Sequence, residues 1–203
     1  MCYTDVMKTI VGNIENIIEI KKSKFLAFAY SVGSEEEVDK ILDNLRAEHR
    51  SANHVTYAYV LFSPSVEKCS DDGEPSGTAG KPILENIKRK GLQNVLVVVV
   101  RYFGGIKLGA GGLVRAYSNS AKEVLELGNV RELNLHMICD IMVSLDNKYL
   151  IENDSDIVIL NKDYSQIGDK LMMYNIAVRK DIMKEKSLNN ICKSVIELEE
   201  KMM

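Results

Sequence analysis

The run Val95-Leu96-Val97-Val98-Val99-Val100 and the five glycines that follow it, Gly104, Gly105, Gly109, Gly111 and Gly112, constrain this chain more than any other feature. An uninterrupted apolar run, β-branched at every position but Leu96, predicts a buried strand from Val95 to Phe103. Past the glycines, Leu113, Ala116, Tyr117, Ser120, Ala121, Val124 and Leu125 recur at helical spacing, and Gly128 supplies a stop. The layout is strand, glycine-rich loop, helix. Glycine inside an element costs roughly 0.5 to 1 kcal/mol against alanine, so the cluster needs a compensating reason, and close approach of another group is the usual one.

A glycine loop that opens a helix turns backbone N–H groups and the positive helix end toward an anion. Two nucleotide fingerprints nevertheless fail. The dinucleotide pattern needs a third glycine where Val114 stands, and the P-loop pattern fails because Pro82 follows Gly80-Lys81 and Pro75 holds the first glycine position. Arg101, Lys107 and Arg115 flank the loop, and Glu85 is the only acidic residue between Lys81 and Arg115. A locally basic loop in a chain of net charge −3 fits contact with a phosphate backbone. The same glycines also fit close packing of a helix on a sheet.

The segment Ser70 to Pro82 places Asp71, Asp72 and Glu74 among turn formers, with Thr78 behind them. Such carboxylates suit a divalent metal or a general base, although the spacing matches no calcium loop. They equally suit a turn whose Asp side chains cap backbone N–H groups, or, if the two loops meet, ion pairs with Arg101 or Arg115. His54 opens a strand and His49 ends a helix; each fits either a hydrogen bond at an element boundary or contact with a substrate or RNA. Tyr57, Tyr59, Tyr102, Phe103 and Tyr117 suit a core or base stacking. No Ser/His/Asp or Cys/His nucleophile arrangement stands out.

Elsewhere the pattern predicts strands at 14–20 and 24–32 joined by the basic turn KKSK, and a helix capped by Ser34 and Glu37 that runs to about His49. A strand follows over 55–62, then a short helix opened by Pro82 and closed by Gly91. After residue 131 the character changes. Leu135–Val143, Ile157–Tyr164 and Asp169–Arg179 read as strands, and Lys184–Lys201 as a terminal helix with Leu188, Ile191, Cys192, Val195 and Leu198 inward. The expected organisation is α+β in two domains, 1–131 and 132–203.

A hydrophobic content of 46% with 27% charged residues excludes a largely disordered chain. The longest apolar run is far short of the roughly 20 residues that cross a bilayer. Cys2, Cys69, Cys139 and Cys192 are far apart with no metal-ligand spacing, and the opening MCYTDVMKTIVGN lacks a signal-peptide core. A reduced, cytoplasmic protein with no membrane partner, metal or cofactor is expected.

KKSKF at 21–25, His54 with Tyr57-Ala58-Tyr59, SDDGEPSGTAGKPIL at 70–84 and RYFGGIKLGAGGLVRAY at 101–117 together resemble the Impact family, in its YigZ-like bacterial branch. The resemblance covers the first domain and continues more weakly beyond it. It implies a first domain like the second domain of small-subunit ribosomal protein five, a fold shared with domain four of elongation factor G and with GHMP-type kinases. It implies a ferredoxin-like second domain similar to domain five of that elongation factor, trimmed here because LDNKYLIENDSDI is short and polar where the family has a full helix. For eukaryotic members it implies regulation of translation initiation under stress, by competition for an activator of a kinase. For the bacterial branch it implies a link to RNA or ribosomes.

The motif residues carried over are His54, Asp71, Asp72, Glu74, Thr78, Arg101, Gly104, Gly105, Lys107, Gly109, Gly111, Gly112 and Arg115. The expected function is non-enzymatic binding of RNA, a ribosome or a protein partner in translation control. The competing expectation is an enzyme acting on a phosphorylated small molecule or nucleotide.

Overall fold

The computed structural model describes residues 7–133, 135–163, 171–179 and 195–202. The chain divides into two compact units, Met1–Glu132 and Leu133–Met203.

In the first unit, β2 (Ile14–Ile20) and β3 (Ser23–Ser31) form a hairpin, and β6 (Val95–Tyr102) pairs with β3 on one side and β4 (His54–Leu61) on the other. A short edge strand, β5 (Val66–Ser70), completes the order β2-β3-β6-β4-β5, and all four pairings are antiparallel. The apolar run is thus the central strand, with Val95 to Val100 all buried. β1 (Met7–Val11) and β7 (Asn129–Leu133), which the residue pattern had not announced, pair as a separate two-stranded ribbon.

Pleating divides these strands between two cores. Phe25, Ala27, Ala29, Val95, Val97 and Val99 pack with Ile83 and Ile87 of α2 (Gly80–Arg89) and with Leu113, Tyr117, Ala121 and Val124 of α3 (Ala110–Leu127). On the opposite face, Val55, Tyr59, Leu96, Val98 and Val100 pack with Val38, Leu42 and Leu45 of α1 (Glu35–Glu48). Ser34 caps α1 by accepting from the Glu37 N–H at 3.3 Å, while Glu37 accepts from the Gly33 N–H at 2.7 Å.

β3 and β4 begin, and β5 and β6 end, at one end of the sheet, since Lys24 pairs with Tyr102, His54 with Arg101 and Tyr57 with Ser70. Both sequence motifs therefore lie at this end. α2 starts at Gly80 rather than Pro82, for a reason that lies in the first motif.

The second unit holds a four-stranded sheet in the order β11-β8-β10-β9, from β8 (Leu135–Ser144), β9 (Ile157–Asp163), β10 (Leu171–Arg179) and β11 (Val195–Met202). Its pairings are antiparallel throughout. Between β8 and β9 lie a 3-10 turn, Leu145–Asn147, and a five-residue helix α4, Lys148–Glu152, which seats Ile151 in the core with Ile141, Tyr174 and Ile176.

The expected terminal helix is corrected in part. Residues 195–202 form a strand, with Val195 opposite Ile141 and Met202 opposite Leu135. Helix propensity in this Glu-rich stretch is a weak preference, overridden by pairing to the open edge of β8. Residues 180–194, with Leu188, Ile191 and Cys192, lie outside the described residues, as do Tyr164, Asp169 and Lys170. Among the described residues, no helix is long and apolar enough to cross a membrane.

Candidate anion site at the end of the first sheet

The acidic motif turns its polar groups inward. Asp71 accepts from the Gly77 N–H at 2.7 Å through Oδ2, and from the Ala79 and Gly80 N–H groups at 2.9 and 2.8 Å through Oδ1. It supplies the cap that Ala79 lacks, and this explains why α2 can begin at Gly80. Burial pushes the Asp71 carboxyl up, but the three N–H bonds outweigh it and hold the group below its ordinary value. A Cβ on Gly80 would lie 2.8 Å from the Ser70 backbone, so this contact requires glycine.

Asp72 ties the loop to the sheet: its Oδ2 accepts from the Val55 N–H at 2.6 Å, and its carbonyl accepts from His54 Nδ1 at 2.7 Å. His54 Nε2 is 3.9 Å from Glu74 Oε1, beyond hydrogen-bond reach. Thr78 closes the turn, its hydroxyl donating to the Pro75 carbonyl at 2.6 Å.

Glu74 is 8% exposed and Arg101 5%. Their side chains meet at 2.5 Å, and the Tyr117 hydroxyl donates to the same Glu74 oxygen at 2.7 Å. Burial, and then the bond to Glu74, pushes the Tyr117 hydroxyl well above its ordinary value. The guanidinium lies 5.4 Å from the Phe25 ring centroid and 5.5 Å from that of Phe103. Two expectations stand for Arg101, a loop-flanking cation for an outside anion and, if the loops meet, an ion-pair partner of the acidic motif; it takes the second place, as an interior residue, because the strand alternation turns it under α3 onto Glu74.

The three carboxylates thus diverge onto different partners. Among the described residues, no group of three His, Cys, Asp or Glu side chains is placed to hold a metal ion. Tyr117 was read as a core or stacking residue. Its tie to Glu74 was foreshadowed only by the rule that a buried tyrosine hydroxyl finds a partner.

The glycine motif is built the other way. Gly104 rests directly on β3: a Cβ there would lie 2.0 Å from the Lys22 backbone, and its N–H donates to Ser23 Oγ at 3.1 Å. Gly105 and Gly109 have φ of 84° and 72°, which glycine adopts without strain. At Gly112 a Cβ would meet Leu108 Cβ at 3.1 Å.

Gly111 differs from these four. It has no left-handed φ, and nothing lies within 4 Å of an added Cβ, so neither conformation nor internal packing explains it. α3 starts there with Gly109 as its cap residue, no side-chain cap and no acidic residue in its first turn. Lys107 and Arg115 flank this helix start, exposed and outside every ion pair of the described residues.

Residues 21–125 match the Impact N-terminal domain. The chain is 43% identical over 143 residues to the IMPACT family member YvyE of Bacillus subtilis, covering 69% of this chain and 65% of that protein. It is 43% identical over 110 residues to YigZ of Escherichia coli, covering 53% of this chain and 54% of that one. The matched part thus spans between about half and two thirds of these relatives' length. A hypothetical protein of known crystal structure superposes at a TM-score of 0.68, with 29% identity and 95% of both chains covered.

Proposed function

Given that this chain belongs to the Impact family, we propose that it is a binding protein of translation control whose first unit grips RNA or the ribosome through the start of α3. The observation that carries this reading is the contrast between two helix starts at one end of the sheet. That of α2 is filled by the chain's own Asp71. That of α3 has, among the described residues, no side-chain cap and no acidic residue in its first turn, a glycine at 111 without an internal reason, and cations at 107 and 115. An uncapped helix start with flanking cations suits a phosphate group.

The family supports the translation link, since the resemblance implies regulation of translation initiation under stress for eukaryotic members, and it supports a cytoplasmic setting. The antiparallel order β11-β8-β10-β9 supports a ferredoxin-like second unit, and the five-residue α4 supports a trimmed form of it. The sheet of the first unit, with α2 and α3 on one face, is in keeping with the ribosomal-protein-five-like fold that the resemblance implies.

The enzymatic alternative draws on Asp71, Asp72 and Glu74 as ligands or base. Each of them already has a structural partner, and this favours binding over catalysis.

The test is filter binding of the full chain to a single-stranded RNA across a salt series. The native chain is expected to lose affinity steeply with salt, and Lys107→Ala with Arg115→Ala to flatten the log–log slope by about 0.7 per lost phosphate contact. Unchanged affinity and slope in the double variant, with the fold intact by circular dichroism, would overturn the reading.

A further inference from the structure

The face of the first sheet that carries α1 is only partly covered. α1 lays Val38, Leu42 and Leu45 over the central strands and ends at His49, whose Nδ1 bonds the Tyr102 hydroxyl at 2.9 Å and whose ring meets Phe28. Beyond this, toward β2, an open groove of about 730 Å3 crosses the sheet end, lined by Ile17, Lys22, Lys24, Leu26, Tyr102 and Phe103. Lys24 stands opposite Tyr102, and Leu26 opposite Ile17, so an apolar, aromatic floor is edged by lysines.

Two residues of the groove are unusually bare for their type: Ile17 is 64% exposed and Phe103 44%. Phe103 is nevertheless held in place. Its N–H donates to Asn53 Oδ1 at 2.7 Å, and its ring packs on the Arg101 guanidinium, which Glu74 fixes from the other side. A bare ring with a fixed position loses little freedom when something stacks on it. Lys22 and Lys24 enter no ion pair of the described residues. The groove also adjoins the glycine loop, because Gly104 rests on the Lys22 backbone.

We propose that this groove is a base-stacking track for single-stranded RNA, with Phe103 and Tyr102 as platforms and Lys22 and Lys24 on the phosphates. The inference rests on the reading of α3 as an anion site and gives the strand held there a path around the sheet end to the opposite face. Aromatic platforms beside cations suit single strands, whose bases are free to stack on protein; in a duplex they already stack on one another. Glu19, paired with Lys24 across the hairpin, also lines the groove and repels a phosphate along the β2 side.

Fluorescence anisotropy of the full chain with a labelled single strand of about ten nucleotides, and with the equivalent duplex, tests this. The single strand is expected to bind more tightly. Phe103→Ala should weaken it by about 5- to 100-fold with the salt slope unchanged. Phe103→Leu, which keeps apolar bulk, should weaken it as well, and this separates stacking from folding. Glu19→Gln should tighten binding.

If RNA binds and both Phe103 variants bind it as the native chain does, the track is wrong while the α3 site stands. If the native chain binds no RNA, the α3 reading falls and the track with it. Preference for the duplex, or Phe103-dependent capture of an acidic peptide in place of RNA, also overturns the track.

Discussion

The two helix starts at the end of the first sheet solve the same electrostatic problem in opposite ways. α2 opens on backbone N–H groups that Asp71 neutralises from within the loop before it. α3 opens on Gly109, Ala110 and Gly111 with no acidic group of its own. A loop whose carboxylates are consumed internally is architecture, and one that leaves a positive helix end open beside Lys107 and Arg115 has capacity for a guest. Both loops are glycine-rich in sequence, so the glycines alone do not separate them; the destination of their hydrogen bonds does.

The largest expected effect lies on the architectural side. Glu74→Ala leaves the Arg101 charge buried beside Phe25 and Tyr117, and removing one partner of a buried pair costs about 3 to 5 kcal/mol. Thermal unfolding should show a large drop in Tm, and a drop of a degree or less would mean that Glu74 is not holding the loop.

Gly104→Ala should come next, at roughly 3 kcal/mol, because the new methyl group would overlap the Lys22 backbone.

Asp71→Asn should cost about 1 to 2 kcal/mol through the weakened cap. Its pH signature is specific. The native carboxyl is held below its ordinary value, so its stabilisation is full above the ordinary carboxylate range and is lost as pH falls through the lowered native value. Denaturant midpoints measured from neutral pH down into the acid range should show that loss in the native chain and a shallower one in the variant.

Gly111→Ala is the smallest change in stability and the most telling for the comparison. With open space around it and no left-handed φ, alanine should stabilise α3 by up to about 1 kcal/mol while weakening RNA binding. A variant that is more stable and binds RNA as before would leave the glycine without a reason.

Much of this arrangement was legible in the residues. The apolar run at 95–100 could only be a central strand, and the α3 periodicity from Leu113 to Leu125 announced its buried face. Asp71 was open to a capping role, but its partners eight and nine residues on were not, because a long-range cap leaves no local spacing. Arg101 was open to both an outside anion and a pair with the acidic motif, since charge in a sequence carries no depth; its register opposite His54 turns it inward. The strand at 195–202 escaped notice because its propensity is helical and its partners in β8, such as Ile141 for Val195 and Leu135 for Met202, are remote in sequence.

The start of α3, and not that of α2, is the one proposed to receive an outside phosphate. Amide proton–nitrogen correlation spectra of the full chain, titrated with a short single-stranded RNA, test it most directly. Progressive shifts are expected at Ala110, Gly111 and Gly112, with Ala79 and Gly80 unmoved behind Asp71. Stationary α3 amides while RNA is demonstrably bound would contradict it.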